Sequence, residues 1–530
     1  MTDEIFSENG EEQTDGEEQT AKESPESPES PRRTHPRRTD ALSAMMSQGW
    51  GETTKDWGFD PDAIALAGER RRDLAERFPD AALVIPSGPA KIRSNDVTYV
   101  FRPHTSFAQL TGLGARSDAD AVLVVVGGAA VETVLFQREP MGPGTEAFYL
   151  DGGAGEYWTG RRPSMPELEA ALGISVRPTS ELVDFLRGLA RPLRVVPDAA
   201  PAVEKLLSAE GLHGTSDPAD DSDLDSDLDR ALDSALATAL DELRLTKTPW
   251  EIAQMQKAVD ISIRGFEDVV ESLPRAVEVA RGERVVEAAF LGRARTEAND
   301  IGYGSTAAAG DNATTLHWDA CDGPVRATDL VLLDAGAELE TLYTADITRT
   351  VPASGTFTDA QRRIYQAVLD ATDAAITAAV VGRPFQDPHD AAVTVLAQRL
   401  EEWGILPVTA AESLSDDGQH HRRWMPHATS HHLGLDVHDC AASRPENYRG
   451  AVIRPGMVFT VEPGLYFKAD DLSVPEEFRG IGVRIEDDIV ATDDGPINLS
   501  AALPRTIDDI EAWMAPLLER GSRVRAAARA

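Results

Sequence analysis

The sequence predicts a mixed α/β (α+β) protein of two folded domains, a smaller one first and a larger one after it. Three observations predict it. At 530 residues the chain is too long for one ordinary domain. Short valine-rich runs bounded by glycine alternate with segments whose apolar residues recur at helical spacing. Two low-complexity stretches, one at the start and one from Ser216, divide what remains into two blocks.

Residues 1–54 contain GEEQTDGEEQT, ESPESPES and PRRTHPRRT, which offer no apolar face to bury, so a disordered acidic and proline-rich tail is expected there. Residues 55–198 read as an α/β domain. DAIALAGERRRDLAERF has helical spacing, while AALVIPSG, AVLVVVGG and ETVLFQRE read as strands. Residues 199–242 form an acidic linker, SDPADDSDLDSDLD, that passes into an alanine- and leucine-rich helix. Its carboxylates lack the glycine and the final glutamate that a calcium-binding EF-hand loop needs in register. Residues 243–518 make the larger domain, opened by the helical pattern of TKTPWEIAQMQKAVDISIRGF, and residues 519–530 are a basic tail.

Composition excludes several classes. A formal net charge of -39 repels phosphate backbones, which argues against nucleic acid as a partner. Two cysteines, Cys321 and Cys440, cannot build a disulfide framework or a thiolate cluster. The opening MTDEIFSENG lacks the features of a secretory signal, and no apolar run reaches membrane-spanning length, so a cytoplasmic protein without a membrane partner is expected.

The chemistry lies in the second domain. An apolar run ends at Asp334, and a second strand carries Asp346 twelve residues later, a spacing that suits two strands bringing both carboxylates together. HATSHHLGLDVHDC gathers His427, His431, His432 and His438 in a chain with only 11 histidines, and clustered imidazoles serve as ligands or proton carriers. Glu462 in MVFTVEPGLYF and Glu486 in GIGVRIEDDIVAT each sit at the heart of an apolar strand, where a carboxylate is costly unless paired or bound to a cation. Arg484 is the only local cation; two residues before Glu486 on a strand, it shares that residue's face and can orient it. Four carboxylates and one imidazole make a hard, oxygen-rich site for more than one ion of the Mn²⁺, Co²⁺ or Zn²⁺ type. Two such ions about 3.5 Å apart turn a shared water into a nucleophile near neutral pH.

These segments resemble the aminopeptidase P family of pita-bread metalloproteases: DAG at Asp334, ADITRT at Asp346, SHHLGLDVHD at His431, TVEPGLY at Glu462 and RGIGVRIEDD at Glu486 stand in the same order. NDVTYVFRPHTSFAQLTGL, VLFQRE and EYWTGRRPSMPELEAALGI resemble the family's first domain. The resemblance implies a pita-bread domain, a curved and mainly antiparallel sheet covered by helices, behind an aminopeptidase P-type α/β domain. It implies Asp334, Asp346, His431, Glu462 and Glu486 as ligands of two divalent ions, Mn²⁺ foremost, with Asp346 and Glu486 shared and Glu462 also acting on the attacking water. By the same resemblance His427 and His438 are catalytic, while His317, Arg484 and Tyr466 border the substrate.

The activity implied is release of the first residue from peptides with proline second, by a metal-bridging hydroxide. The tertiary nitrogen of that bond leaves poorly unless protonated, which gives the histidines their work. An Xaa-Pro dipeptidase (prolidase) would share all five ligands. A non-catalytic pita-bread protein that binds peptides would be expected to lack some of them. A homo-oligomer, dimer or tetramer, is expected from the family.

Overall fold

The computed structural model describes residues 39–51, 55–95, 97–128, 131–213 and 224–529, which fall into two compact units. The tail expected at 1–54 lies outside the described residues as far as Arg38, as does the acidic stretch 214–223. The smaller unit holds helix Asp40–Met46 and the segment Met141–Arg161. Within it Trp50 packs edge-on against Phe148 and Tyr157, with ring centroids 5.0 and 6.4 Å away.

In the larger unit, a five-stranded sheet runs in the order Ser175–Pro178, Glu132–Gln137, Val122–Val126, Ala82–Pro86, Leu193–Val195. Its central strands are buried on both faces, which explains their continuous apolar runs. Leu83 and Ile85 join one hydrophobic cluster with Leu74 and Phe107, whereas Ala82 and Val84 join another with Leu182 and Leu186, the alternation that a pleated strand imposes.

The rest of this unit is built on short antiparallel sheets. Strand Leu330–Ala335 pairs with Ile347–Pro352 on one side and Thr306–Ala309 on the other. Val458–Val461 pairs with Asp487–Thr492, and Gly464–Phe467 with Ile481–Arg484. Backbone hydrogen bonds such as Glu486 N to Thr348 O, 3.1 Å, tie the first group to the second. Helices Pro249–Ala276, Gly282–Glu297, Asp359–Ala378, Asp387–Glu402 and Ile507–Arg529 share one core with these strands, in which Met255, Phe290, Tyr365, Leu396 and Phe459 are fully buried. Helix Pro249–Ala276 starts with a reciprocal cap: Thr248 accepts from the Glu251 amide and Glu251 from the Thr248 amide. Helix Ile507–Arg529 runs on through the 518–519 boundary, so residues expected as a tail continue its turns. Among the described residues no helix is long and apolar enough to cross a membrane.

Candidate active site

Antiparallel pairing sets Asp334 opposite Thr348, so Asp346, one residue before its strand, lies close by. The glycine of DAG makes this possible. A Cβ on Gly336 would stand 1.7 Å from the Ala345 carbonyl oxygen, so only glycine lets the two segments cross so tightly.

Glu462 and Glu486 were expected at the hearts of strands, and the structure corrects this. Glu462 follows the last residue of Val458–Val461, and Glu486 lies between Ile481–Arg484 and Asp487–Thr492. Pro463 has no amide to donate, so the ladder breaks there and the chain steps from one sheet to the next. At these junctions the glutamate amides bond elsewhere, Glu462 to the Thr429 carbonyl and Glu486 to that of Thr348.

His431 arrives on a loop held to the neighbouring strand, with Thr460 N donating to the His431 carbonyl at 3.0 Å. Its Nδ1 lies 3.1 Å from the His432 carbonyl, an acceptor, so Nδ1 carries the hydrogen and Nε2 is left to bind a cation. That Nε2 is 3.3 Å from Asp346 Oδ2 and 3.6 Å from Glu462 Oε1. Donor atoms of Asp346, His431 and Glu486 all lie within 4.8 Å of one another.

The electrostatics fit a cationic occupant. Burial, then Asp346, Glu462 and Asp334, push Glu486 well above the ordinary carboxylate range. Glu462 is pushed up to about 7 by burial, against the pull of His431 and Arg484. Burial disfavours a charged His431, but Asp346 and Glu462 outweigh it and raise the ring to about 9. Carboxylates that would rather hold protons, around an imidazole that would rather be charged, are short of positive charge, which divalent ions supply.

Asp334, Asp346, His431, Glu462, Glu486, His317, His427, His438 and Arg484 all line one cavity of about 880 Å³. His317 and His438 are exposed to it. Tyr466 does not line it. It is buried behind the wall, where Arg484 Nη1 donates to its oxygen at 3.2 Å and His427 Nε2 lies 2.8 Å from the same oxygen. His427 Nδ1 faces the Ala428 carbonyl at 2.8 Å, so Nδ1 bears the hydrogen and Nε2 accepts from Tyr466. A chain of hydrogen bonds thus runs from Asp334 through Arg484 and Tyr466 to His427. Burial and then Arg484 hold His427 at about 3, neutral at physiological pH. Arg484, expected to serve Glu486, gives its closest contact to Asp334 and comes only within 4.0 Å of Glu486. Arg349 braces the site from behind, donating to the Glu486 carbonyl and to Asp487 at 2.7 Å each.

Sequence reasoning missed Tyr303, whose hydroxyl contacts both Asp334, at 2.7 Å, and Asp346. It also passed over Asp488, which accepts from the Asp346 amide at 3.2 Å. A lone tyrosine in GYGST carries no signal, but the second aspartate of EDD, leading directly into the apolar run IVA, was a visible anomaly.

Fold and donor set together define a metallopeptidase. Residues 253–493 match the model of metallopeptidase family M24, and residues 67–196 that of the aminopeptidase P N-terminal domain. The chain is 47% identical over 489 residues to Xaa-Pro aminopeptidase 1 of Streptomyces coelicolor, covering 91% of this chain and 94% of that one. To Xaa-Pro aminopeptidase 2 of the same organism it is 45% identical over 482 residues, covering 91% and 97%. The solved structure of Escherichia coli aminopeptidase P with the inhibitor Pro-Leu superposes with a TM-score of 0.71 at 30% identity, covering 86% of this chain and 99% of that one. This chain belongs to the aminopeptidase P branch of the M24 metallopeptidases, and its fold is the pita-bread fold expected from the motifs.

Proposed function

We propose that the chain removes the N-terminal residue from peptides with proline in second position, using two divalent cations, Mn²⁺ first among the candidates, held by Asp334, Asp346, His431, Glu462 and Glu486. The observation that carries this reading is the convergence of four carboxylates and one correctly oriented imidazole on a single large cavity. The relatives' names support the proline preference. When bound, such ions polarise the scissile carbonyl and lower the pKa of a water between them to near neutrality.

The protein's own groups do the rest. Glu462 lines the cavity, and its carboxylate would be the group to accept the proton of the attacking water and to pass it on. His427 is neutral, with both ring nitrogens engaged, and serves as a fixed hydrogen-bonding wall beside Glu462, 3.6 Å from its Oε2. His317 and His438 open on the cavity and are the groups that can stabilise the developing oxyanion or protonate the proline nitrogen. Arg484 and Tyr466 hold Asp334 and His427 in place rather than touching the peptide.

Both cysteines are free, which suits a reducing cytoplasm. A homo-oligomer rests on the family resemblance, and light scattering reads it directly. The activity test compares Xaa-Pro dipeptides with longer Xaa-Pro peptides, each after chelation and after Mn²⁺ is restored. Turnover of longer peptides that needs the metal is expected. Cleavage of dipeptides alone would make the protein a prolidase, and metal-independent turnover would sink the mechanism.

A further inference from the structure

We infer that His389, on helix Asp387–Glu402 and outside the ligand set, is a positioning residue that fixes the loop carrying His427 and His431; the inference rests on the reading of the site given above. The Thr429 amide donates to His389 Nδ1 at 3.2 Å, and Thr429 Oγ1 lies 2.8 Å from the same nitrogen. An amide can only donate, so Nδ1 must present a lone pair. Thr429 is fully buried, and its carbonyl accepts from the Glu462 amide at 2.9 Å. One residue, Thr429, is therefore held through its amide by the helix and through its carbonyl by a candidate ligand. His427 stands two residues before it and His431 two residues after. Four residues before His389, Phe385 stacks on His432 with ring centroids 4.8 Å apart and planes 7° from parallel. Phe385, just before the helix, and His389, in its first turn, thus grip the loop at two points flanking His431, and among the described residues His389 alone supplies an acceptor for the Thr429 amide.

The contact needs an acceptor at the Nδ1 position and nothing else of the ring. Asparagine places its amide oxygen close to that position, glutamine carries its amide one bond farther out, and leucine offers none. In holoenzyme loaded with Mn²⁺, His389→Leu is expected to lower kcat on an Xaa-Pro tripeptide about tenfold or more with little change in KM, and to weaken equilibrium Mn²⁺ binding by a similar factor. His389→Asn is expected to stay within about threefold of the unchanged protein on both measures, and His389→Gln to resemble leucine. The Asn and Gln pair keeps the question open to test if the leucine variant fails to fold. Equal impairment of Asn and Gln, or a leucine variant that binds Mn²⁺ and turns over like the unchanged protein, would overturn the inference. An unchanged protein that does not cleave the tripeptide refutes the proposed activity instead, while Mn²⁺ binding still tests His389.

Discussion

Glu462 is where burial and function meet most directly. Burial lifts its carboxyl to about 7 in the absence of a cation, against the pull of His431 and Arg484, which marks a carboxylate short of positive charge at the place where a cation would sit. Replacing it with glutamine keeps the shape and removes the carboxylate, both as a proton acceptor and as a candidate ligand. Glu462→Gln and Asp346→Asn are each expected to lower turnover by at least about a hundredfold at saturating Mn²⁺, measured on an Xaa-Pro tripeptide. Cys440→Ala serves as the control: the thiol is buried, pushed up by burial and then Asp439, and sits off the cavity, so activity should hold. A fully active Glu462→Gln enzyme would refute the assignment. At this scale the sequence was informative where chemistry was crowded. Histidines packed into one segment and glutamates set among valines stood out, because such side chains are costly without a partner. Tyr303 did not stand out, since its importance comes from a fold that brings residues 303, 334 and 346 together.

Among the elements, the tight crossing at Gly336 decides whether Asp334 and Asp346 can share an ion. A methyl group there must push the Ala345 carbonyl away, and the two strands with it. Gly336→Ala is expected to cost about 3 kcal/mol of stability and to weaken Mn²⁺ binding, read by denaturant midpoint and metal titration. Unchanged values for both would show that the segments can separate at no cost. The elements also show where pattern reading stops. The apolar runs around Glu462 and Glu486 were legible as strands; the proline after Glu462 was a readable break that was passed over, whereas the break at Ile485 was not readable, because an apolar run looks the same whether or not the chain changes sheets. Those breaks aim both glutamates into the cavity. Likewise the basic residues after 518 suggested a tail, yet helix Ile507–Arg529 continues through them, as Arg525 donates to the Pro274 carbonyl.

At the scale of the whole molecule, the N-terminal α/β portion and the catalytic sheets are joined by buried charge. Gln109 accepts from Arg244 at 2.7 Å; Arg244 pairs with Asp439 at 2.9 Å, and Lys247 adds a contact at 3.3 Å to the other oxygen. Asp439 directly follows His438, and its amide donates to the His432 carbonyl, so this cluster also anchors the cavity wall. Burial alone would raise the Asp439 carboxyl, but Arg244 and Lys247 outweigh it and hold it below the ordinary carboxylate range. The sign follows. A carboxylate depressed in the folded state binds its proton more readily when unfolded, so its contribution is intact above an unfolded pKa of about 3.9 and fades as pH falls toward the folded value. Asp439→Asn leaves Lys247 buried without its carboxylate and Arg244 with Asp241 alone, 2.6 Å away, and is expected to cost about 3–5 kcal/mol at neutral pH. It should also flatten the loss of stability on acidification below about pH 4, because the group that titrates there is gone. Denaturant midpoints at pH 7 and pH 3 measure both effects. A variant whose midpoint falls as steeply between those values as that of the unchanged protein would show that other carboxylates, in a chain with 90 of them, govern its acid stability.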